Sequence, residues 1–242
     1  MTKYRRRTYR HTISCTDMDA YEVRVKETDL LIRGDRKLAD RARDVVLLIR
    51  GQIESYIEQH PDFVASLIPL ADDLYAPSIV RDMILAGRKA GVGPMAAVAG
   101  AVAERVGHEL LVQDDEILVE NGGDIFAKVN RTLKIGIFAG HSPLSNKLAL
   151  VVRPEDTPVG ICTSSGTVGH SLSKGKADVA CVLSKSTALA DAAATALGNR
   201  VKSRKDIENA LAWSESIPEI TGALIIIEDR VGARGNLQLL RV

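Results

Sequence analysis

Asp191 and Thr195 stand four residues apart in Lys185-Ser186-Thr187-Ala188-Leu189-Ala190-Asp191-Ala192-Ala193-Ala194-Thr195. On a helix that spacing points both oxygens along one face, and the surrounding alanines leave the face clear of bulk. One carboxylate and one hydroxyl are too few for a dedicated metal cage. They do suit Mg²⁺, which prefers oxygen and completes its shell with water and phosphate oxygens. An ordinary helix accounts for the same pattern, with Thr195 bonded back to the Asp191 carbonyl and Asp191 favoured by the helix N-terminus. Both readings stand at this point.

Three more segments join glycine to polar or small groups. Asn121-Gly122-Gly123-Asp124 follows an apolar run ending at Val119, and Asn-Gly between strands is a strong hairpin signal. The same residues suit a ligand, because two glycines let backbone approach it while Asp124 hydrogen-bonds it. Thr163-Ser164-Ser165-Gly166-Thr167, followed by Gly169-His170-Ser171, gathers hydroxyls and glycines after a strand. Such loops offer N–H donors to phosphate oxygens, or are plain surface loops. A serine-hydrolase pair of Ser165 and His170 lacks the G-x-S-x-G elbow and an orienting acid. Ala96 to Gly100 offers backbone alone, and His141-Ser142 reads as an exposed loop.

These groups need elements to hold them. Tyr21, Val23 and Val25 alternate with Glu22, Arg24 and Lys26 as in a strand, and Glu27-Thr28-Asp29 turns into Leu30-Leu31-Ile32. Asp35 is placed to cap a long helix bearing Leu38, Ala42, Val45, Ile49, Ile53 and Ile57, ending near His60-Pro61. Residues 61–76 are irregular, and Pro77 opens a second helix that stops at Gly91-Val92-Gly93. A third helix from Pro94 is so small-sided that it must lie deep against a sheet or close to a ligand.

Strands are predicted at 117–119, 125–127, 133–138, 147–152, 159–162 and 177–183. Helices are predicted from Thr187 to Leu197, stopped by Gly198-Asn199, and from Lys205 to Trp213. The C-terminus reads as a hairpin of 223–228 with 237–242 around Gly232-Ala233-Arg234-Gly235. Long helices between antiparallel hairpins predict an α+β fold with helices layered on sheets. No linker divides the chain, so one domain over residues 1–242 is expected.

Composition narrows the function classes. Hydrophobic residues at 45% and charged residues at 26% are those of a globular chain with an ample core. A net charge of +1 gives no reason to expect nucleic acid or an acidic membrane as partner. The N-terminus, with Arg5, Arg6, Arg7 and Arg10, has no apolar run behind it, so a cytoplasmic protein is expected rather than a secreted or membrane-spanning one. Those arginines suit a solvated edge strand. Cys15, Cys162 and Cys181 form no C-x-x-C pair and read as reduced thiols.

Taken in order, a Gly-initiated small-residue helix, N-G-G-D-I, T-S-S-G-T with a histidine after it, and A-D-A-A-A-T-A-L resemble the ApbE-like superfamily, whose members include FAD:protein FMN transferases. The resemblance spans roughly residues 93 to 198, and A-D-A-x-x-T-A-L is its most specific element. It implies two intertwined T-fold-like halves. It also implies Mg²⁺ held by Asp191, Thr195 and a backbone carbonyl near Ala97 or Ala99. Asn121, Gly122, Gly123 and Asp124 match a segment lining the flavin nucleotide site, with Thr163, Ser164, Ser165, Gly166 and Thr167 on a loop beside it. His170 matches the family histidine that follows this loop.

The resemblance thus implies FAD and Mg²⁺ as cofactors, a nucleotide-like or anionic small molecule as partner, and leaves homo-oligomerisation open. The chain departs from the family in two places. Ala97-Val98-Ala99-Gly100 stands where an Ala-Lys-Gly element is usual, and Ser171-Leu172-Ser173-Lys174-Gly175 where an Asp-Pro-containing segment is usual. A non-catalytic module that binds a flavin or another anionic ligand is therefore the alternative reading.

Overall fold

The computed structural model describes residues 13–14, 18–166 and 175–242. Its strands are β1 (Ile13–Ser14), β2 (Asp19–Val25), β3 (Thr28–Gly34), β4 (Ile117–Asn121), β5 (Asp124–Lys128), β6 (Leu133–Gly136), β7 (Leu148–Val152), β8 (Val159–Ser164), β9 (Val179–Ser184), β10 (Ile220–Ile227), β11 (Arg230–Gly235) and β12 (Gln238–Arg241). Its helices are α1 (Ala39–Gln59), α2 (Asp62–Ala65), α3 (Ser78–Ala90), α4 (Val98–Leu110), α5 (Thr187–Arg200) and α6 (Ile207–Glu215).

Val179 to Ser184 is buried at every position, where a half-exposed strand would alternate. The reason is that the sheet holding β9 is covered on both faces. Ala180, Val182, Ala223, Ile225 and Ile227 pack under the helices. Their neighbours Val179, Cys181, Leu183, Leu224 and Ile226 pack against a second sheet. The pleat alone sends successive side chains into two different cores.

The larger sheet has eight strands in the order β11-β10-β9-β8-β5-β4-β3-β2, and every pairing in it is antiparallel. The order hairpin, helices, hairpin occurs twice along the chain, and the two halves join edge to edge at β5 and β8. The smaller sheet, β1-β6-β7-β12, brings Leu133, Ile135, Leu150 and Val152 to the second core. Helix α1 lies on β2, α4 on β4 and β5, α5 on β8 and β9, and α6 on β10 and β11. The result is the expected α+β arrangement of antiparallel sheets and layered helices.

Several local expectations are corrected. Helix α1 begins at Ala39 with Leu38 as an uncapped N-cap residue. Asp35 instead accepts from Arg131 Nη2 at 3.5 Å. The helix after Pro94 starts as a 3₁₀ turn, Pro94–Ala97, before α4. Gly198-Asn199 does not stop α5, which runs to Arg200. The backbone there is instead approached closely by Gly175, on which a Cβ would fall 1.8 Å from the Gly198 carbonyl oxygen. The C-terminal hairpin turns at Glu228-Asp229, with Gly232 inside β11 and β12 crossing to the smaller sheet. Gly232 is needed mid-strand because a Cβ would meet Ile207 Cγ2 at 2.4 Å.

Helix α5 seats on the sheet at Gly160, where a Cβ would stand 2.4 Å from Thr187 Cα. Gly160→Ala should therefore lift α5 and lower stability by about 1–3 kcal/mol, read as a lower midpoint in urea unfolding. An unchanged midpoint would show that the helix is not seated there.

Candidate functional site

The turn between β4 and β5 is the hairpin that Asn-Gly predicts. Gly122 and Gly123 have φ of 72° and 105°, a left-handed path that glycine adopts without strain. Asn121 and Asp124 flank them as the last cross-strand pair of the ladder. They share a face with Val119 and Phe126, which lie in the core beneath the helices, so both polar side chains are delivered to the helix side. Asp124 is buried, and its Oδ1 accepts from the Thr163 N–H at 3.3 Å.

Above this pair, α4 and α5 meet closely. A Cβ on Gly100 would stand 2.4 Å from the Thr187 carbonyl oxygen and 2.7 Å from Asp191 Cβ. That approach lets Asp191 Oδ2 accept from the Gly100 N–H at 2.8 Å, and the Ala99 N–H donates to the same carboxylate. Asp191 thus caps α4 from a neighbouring helix. Asn121 Nδ2 donates to the Ala99 carbonyl at 3.1 Å, pinning the same turn from below. Glu104 on α4 returns the arrangement, its Oε2 accepting from the Ala188 N–H at 3.0 Å and from Ser186 Oγ at 3.4 Å.

Asp191 is enclosed by α4, α5 and the sheet end yet keeps partial solvent access. Burial pushes its pKa well above the usual carboxylate range, and the nearby Asp124 charge pushes it further. The Gly100 and Ala99 N–H groups pull the other way without prevailing. Burial likewise raises Glu104, against the Ala188 N–H and His108. Cys162 is raised well above its ordinary value and Cys181 to about 11, both chiefly by burial, so neither is a ready thiolate.

The structure brings together Asn121, Asp124, Ala99, Gly100 and Asp191, with Gly122 and Gly123 as the turn beside them. Thr195 lies one turn beyond Asp191 on α5 and is partly exposed. Among the described residues its hydroxyl has no hydrogen-bond partner, so the back-bonded alternative does not hold. Ala97 is fully buried at the N-cap of α4. From that segment it is the N–H groups of residues 99 and 100 that meet Asp191.

Along β8, Ser164 lies on the helix side with Cys162, whereas the Thr163 hydroxyl turns to Cys181 in the opposite core. Ser165 and Gly166 follow at the strand end, with the Gly166 N–H bonded to the Ala177 carbonyl at 2.9 Å. Thr167, His170, Cys15 and the four N-terminal arginines lie outside the described residues. His141 is exposed. Glu104 was not anticipated, because its partner lies 84 residues away; the one local signal was the N-cap at Ser186, which accepts from the Leu189 N–H. Among the described residues no helix is long and apolar enough to cross a membrane.

A family model described as AbpE bacteria matches residues 11–231. The UPF0280 protein of Methanocaldococcus jannaschii is 40% identical over 219 residues, covering 88% of this chain and 89% of that one. The UPF0280 protein of Methanocella arvoryzae is 41% identical over 214 residues, covering 88% and 87%. The apo form of flavinyl transferase ApbE from Pseudomonas stutzeri is similar with a TM-score of 0.57 and 16% identity, over 90% of this chain and 94% of that one. A point variant of the flavin transferase ApbE from Vibrio cholerae gives a TM-score of 0.58 and 13% identity, over 90% and 97%. At those identities the likeness is one of fold.

The raised Asp191 makes a stability prediction. Its folded-state pKa exceeds the unfolded value, so the folded protein binds the extra proton and loses stability as pH rises between the two. Asp191→Asn keeps an acceptor for the Gly100 N–H and removes that loss. The variant should melt above the wild type at neutral pH without added metal, with the gap closing as pH falls toward about 4. A variant that melts lower by the same amount at every pH would refute the electrostatic account.

Proposed function

The chain belongs to this AbpE bacteria family, and on that premise we propose that the cluster around Asp191 and Asp124 is a Mg²⁺-dependent flavin-nucleotide site of the transferase kind. The observation that carries the reading is the carboxylate of Asp191 held beside Asp124 and largely enclosed, at a charge penalty that a divalent cation would relieve. The donors suit Mg²⁺. Among the described residues no three His, Cys, Asp or Glu side chains gather around one point, so hydroxyl, carbonyl and ligand oxygens must complete a shell of hard donors. Asp191 and Thr195 would hold the ion, with the Ala97 carbonyl as the third protein ligand.

When bound, the ion would neutralise the pyrophosphate of FAD and ease the departure of AMP. The chain's own residues have distinct tasks. Asn121 and Asp191 hold the first turn of α4 in place from two sides. Gly122, exposed at the turn, offers backbone without a side chain to an approaching nucleotide. Ser164 ends β8, and Ser165 and Gly166 follow it. In the transfer, a phosphorus–oxygen bond to an acceptor protein hydroxyl forms as the pyrophosphate bond to AMP breaks. The hydroxyl proton passes to a base, a place the resemblance gives to His170.

A second reading, a module that binds the flavin nucleotide without turning it over, is favoured by one observation. The first turn of α4 carries Ala97-Val98-Ala99-Gly100 with no lysine, and its N–H groups at residues 99 and 100 are already engaged by Asp191. Isothermal titration with FAD should show micromolar binding that requires Mg²⁺, and Asp191→Ala should lose it while its circular dichroism stays native. Mg²⁺-dependent binding that survives in Asp191→Ala would sink the assignment. Release of AMP on long incubation with an acceptor protein separates transfer from binding alone.

A further inference from the structure

The outer side of α1 and the segment before α3 carry apolar groups that the described residues leave exposed. Tyr75 is 99% exposed, Leu74 69%, Leu48 65% and Leu47 53%. Leu47, Leu48 and Tyr75 line one groove with Gly51, Ser55 and Pro77. The backbone at Tyr75 is tied to α1 through Asp73. Its N–H donates to Asp73 Oδ1 at 2.9 Å, and Asp73 Oδ2 accepts from the Tyr56 hydroxyl on α1 at 2.9 Å. Gly51 adds a second anomaly. A glycine inside the 21-residue α1 weakens the helix relative to alanine. Among the described residues, and apart from the helix's own backbone, nothing lies within 4 Å of where its Cβ would be. Contacts within the chain give no reason for glycine there, whereas close approach of something from outside does.

We infer that this face binds a second copy of the chain, α1 against α1 about a two-fold axis near Gly51. The surface is self-complementary in the way a two-fold demands. A projecting tyrosine and an open groove lie side by side on one face, so each copy's Tyr75 enters the other's groove. The size agrees as well. The exposed parts of the four side chains come to on the order of 500 Å², and a standard homodimer interface of about 800 Å² per copy, about 65% apolar, requires the same. A patch of that extent with a central aromatic is where binding energy concentrates. Gln52, Gln59 and His60 supply the polar rim.

The test is the mass in solution of the full chain by sedimentation velocity, from about 1 to about 100 µM, together with the double variant Leu48→Glu, Tyr75→Ser. The wild type should sediment at twice the 26.1 kDa of one chain. The double variant should dissociate at least about 100-fold more readily. Both changed residues are exposed, so far-ultraviolet circular dichroism should be unchanged, which separates lost association from lost folding. Single-chain mass for the wild type throughout, or a dimer indifferent to the two substitutions, would overturn the inference.

Discussion

Two carboxylates exchanged between neighbouring helices hold the centre of this protein. Asp191 on α5 accepts from the first N–H groups of α4, and Glu104 on α4 accepts from an N–H at the start of α5. Each meets donors that a helix start leaves without an intrahelical partner, and each places negative charge where the helix dipole favours it. The exchange requires the helices to touch. Gly100 allows this, since any side chain there would strike Thr187 and Asp191. The small-sided sequence of α4 follows from this contact, and from Gly107 lying against the Phe126 ring.

Around that contact the larger sheet acts as a frame. Its central strands are apolar on both faces because helices cover one and the smaller sheet covers the other. Polar groups are therefore expelled to the strand ends, where the turn at residues 121–124 and the end of β8 arrive together. Helix α5 runs back across β8 and β9 from its seat at Gly160, so Asp191 comes to lie over the same end. The site is built where the two halves of the sheet join, at β5 and β8.

The electrostatics set the site apart from the rest of the molecule. Ion pairs such as Arg41–Glu109 and Lys26–Glu54 are exposed and contribute little. Asp191 stands beside Asp124 where the fold largely encloses it, and the cost appears as the raised Asp191 pKa. The proposed role of the pair is to hold Mg²⁺ with a phosphate ligand, a role that hard oxygen donors suit. The Thr195 hydroxyl, one turn along, adds a further hard oxygen on the same helix.

Much of this was legible in the residues themselves. Periodicity placed most helices and strands, the N-G-G-D turn announced its hairpin, and the four-residue spacing of Asp191 and Thr195 put both on one helix. Those are short-range consequences of backbone geometry, which a sequence carries directly. The tertiary structure decided the rest. It assigned Asp35 to Arg131 rather than to a helix cap, and made Gly198 a point of close approach rather than a stop. It split the last strands between two sheets, and turned Thr163 and Ser164 to opposite faces by the pleat. Above all it paired Asp191 with Gly100 across 91 residues and Glu104 with Ala188 across 84. No local pattern encodes such pairings, because they depend on which helices the shared sheet brings side by side.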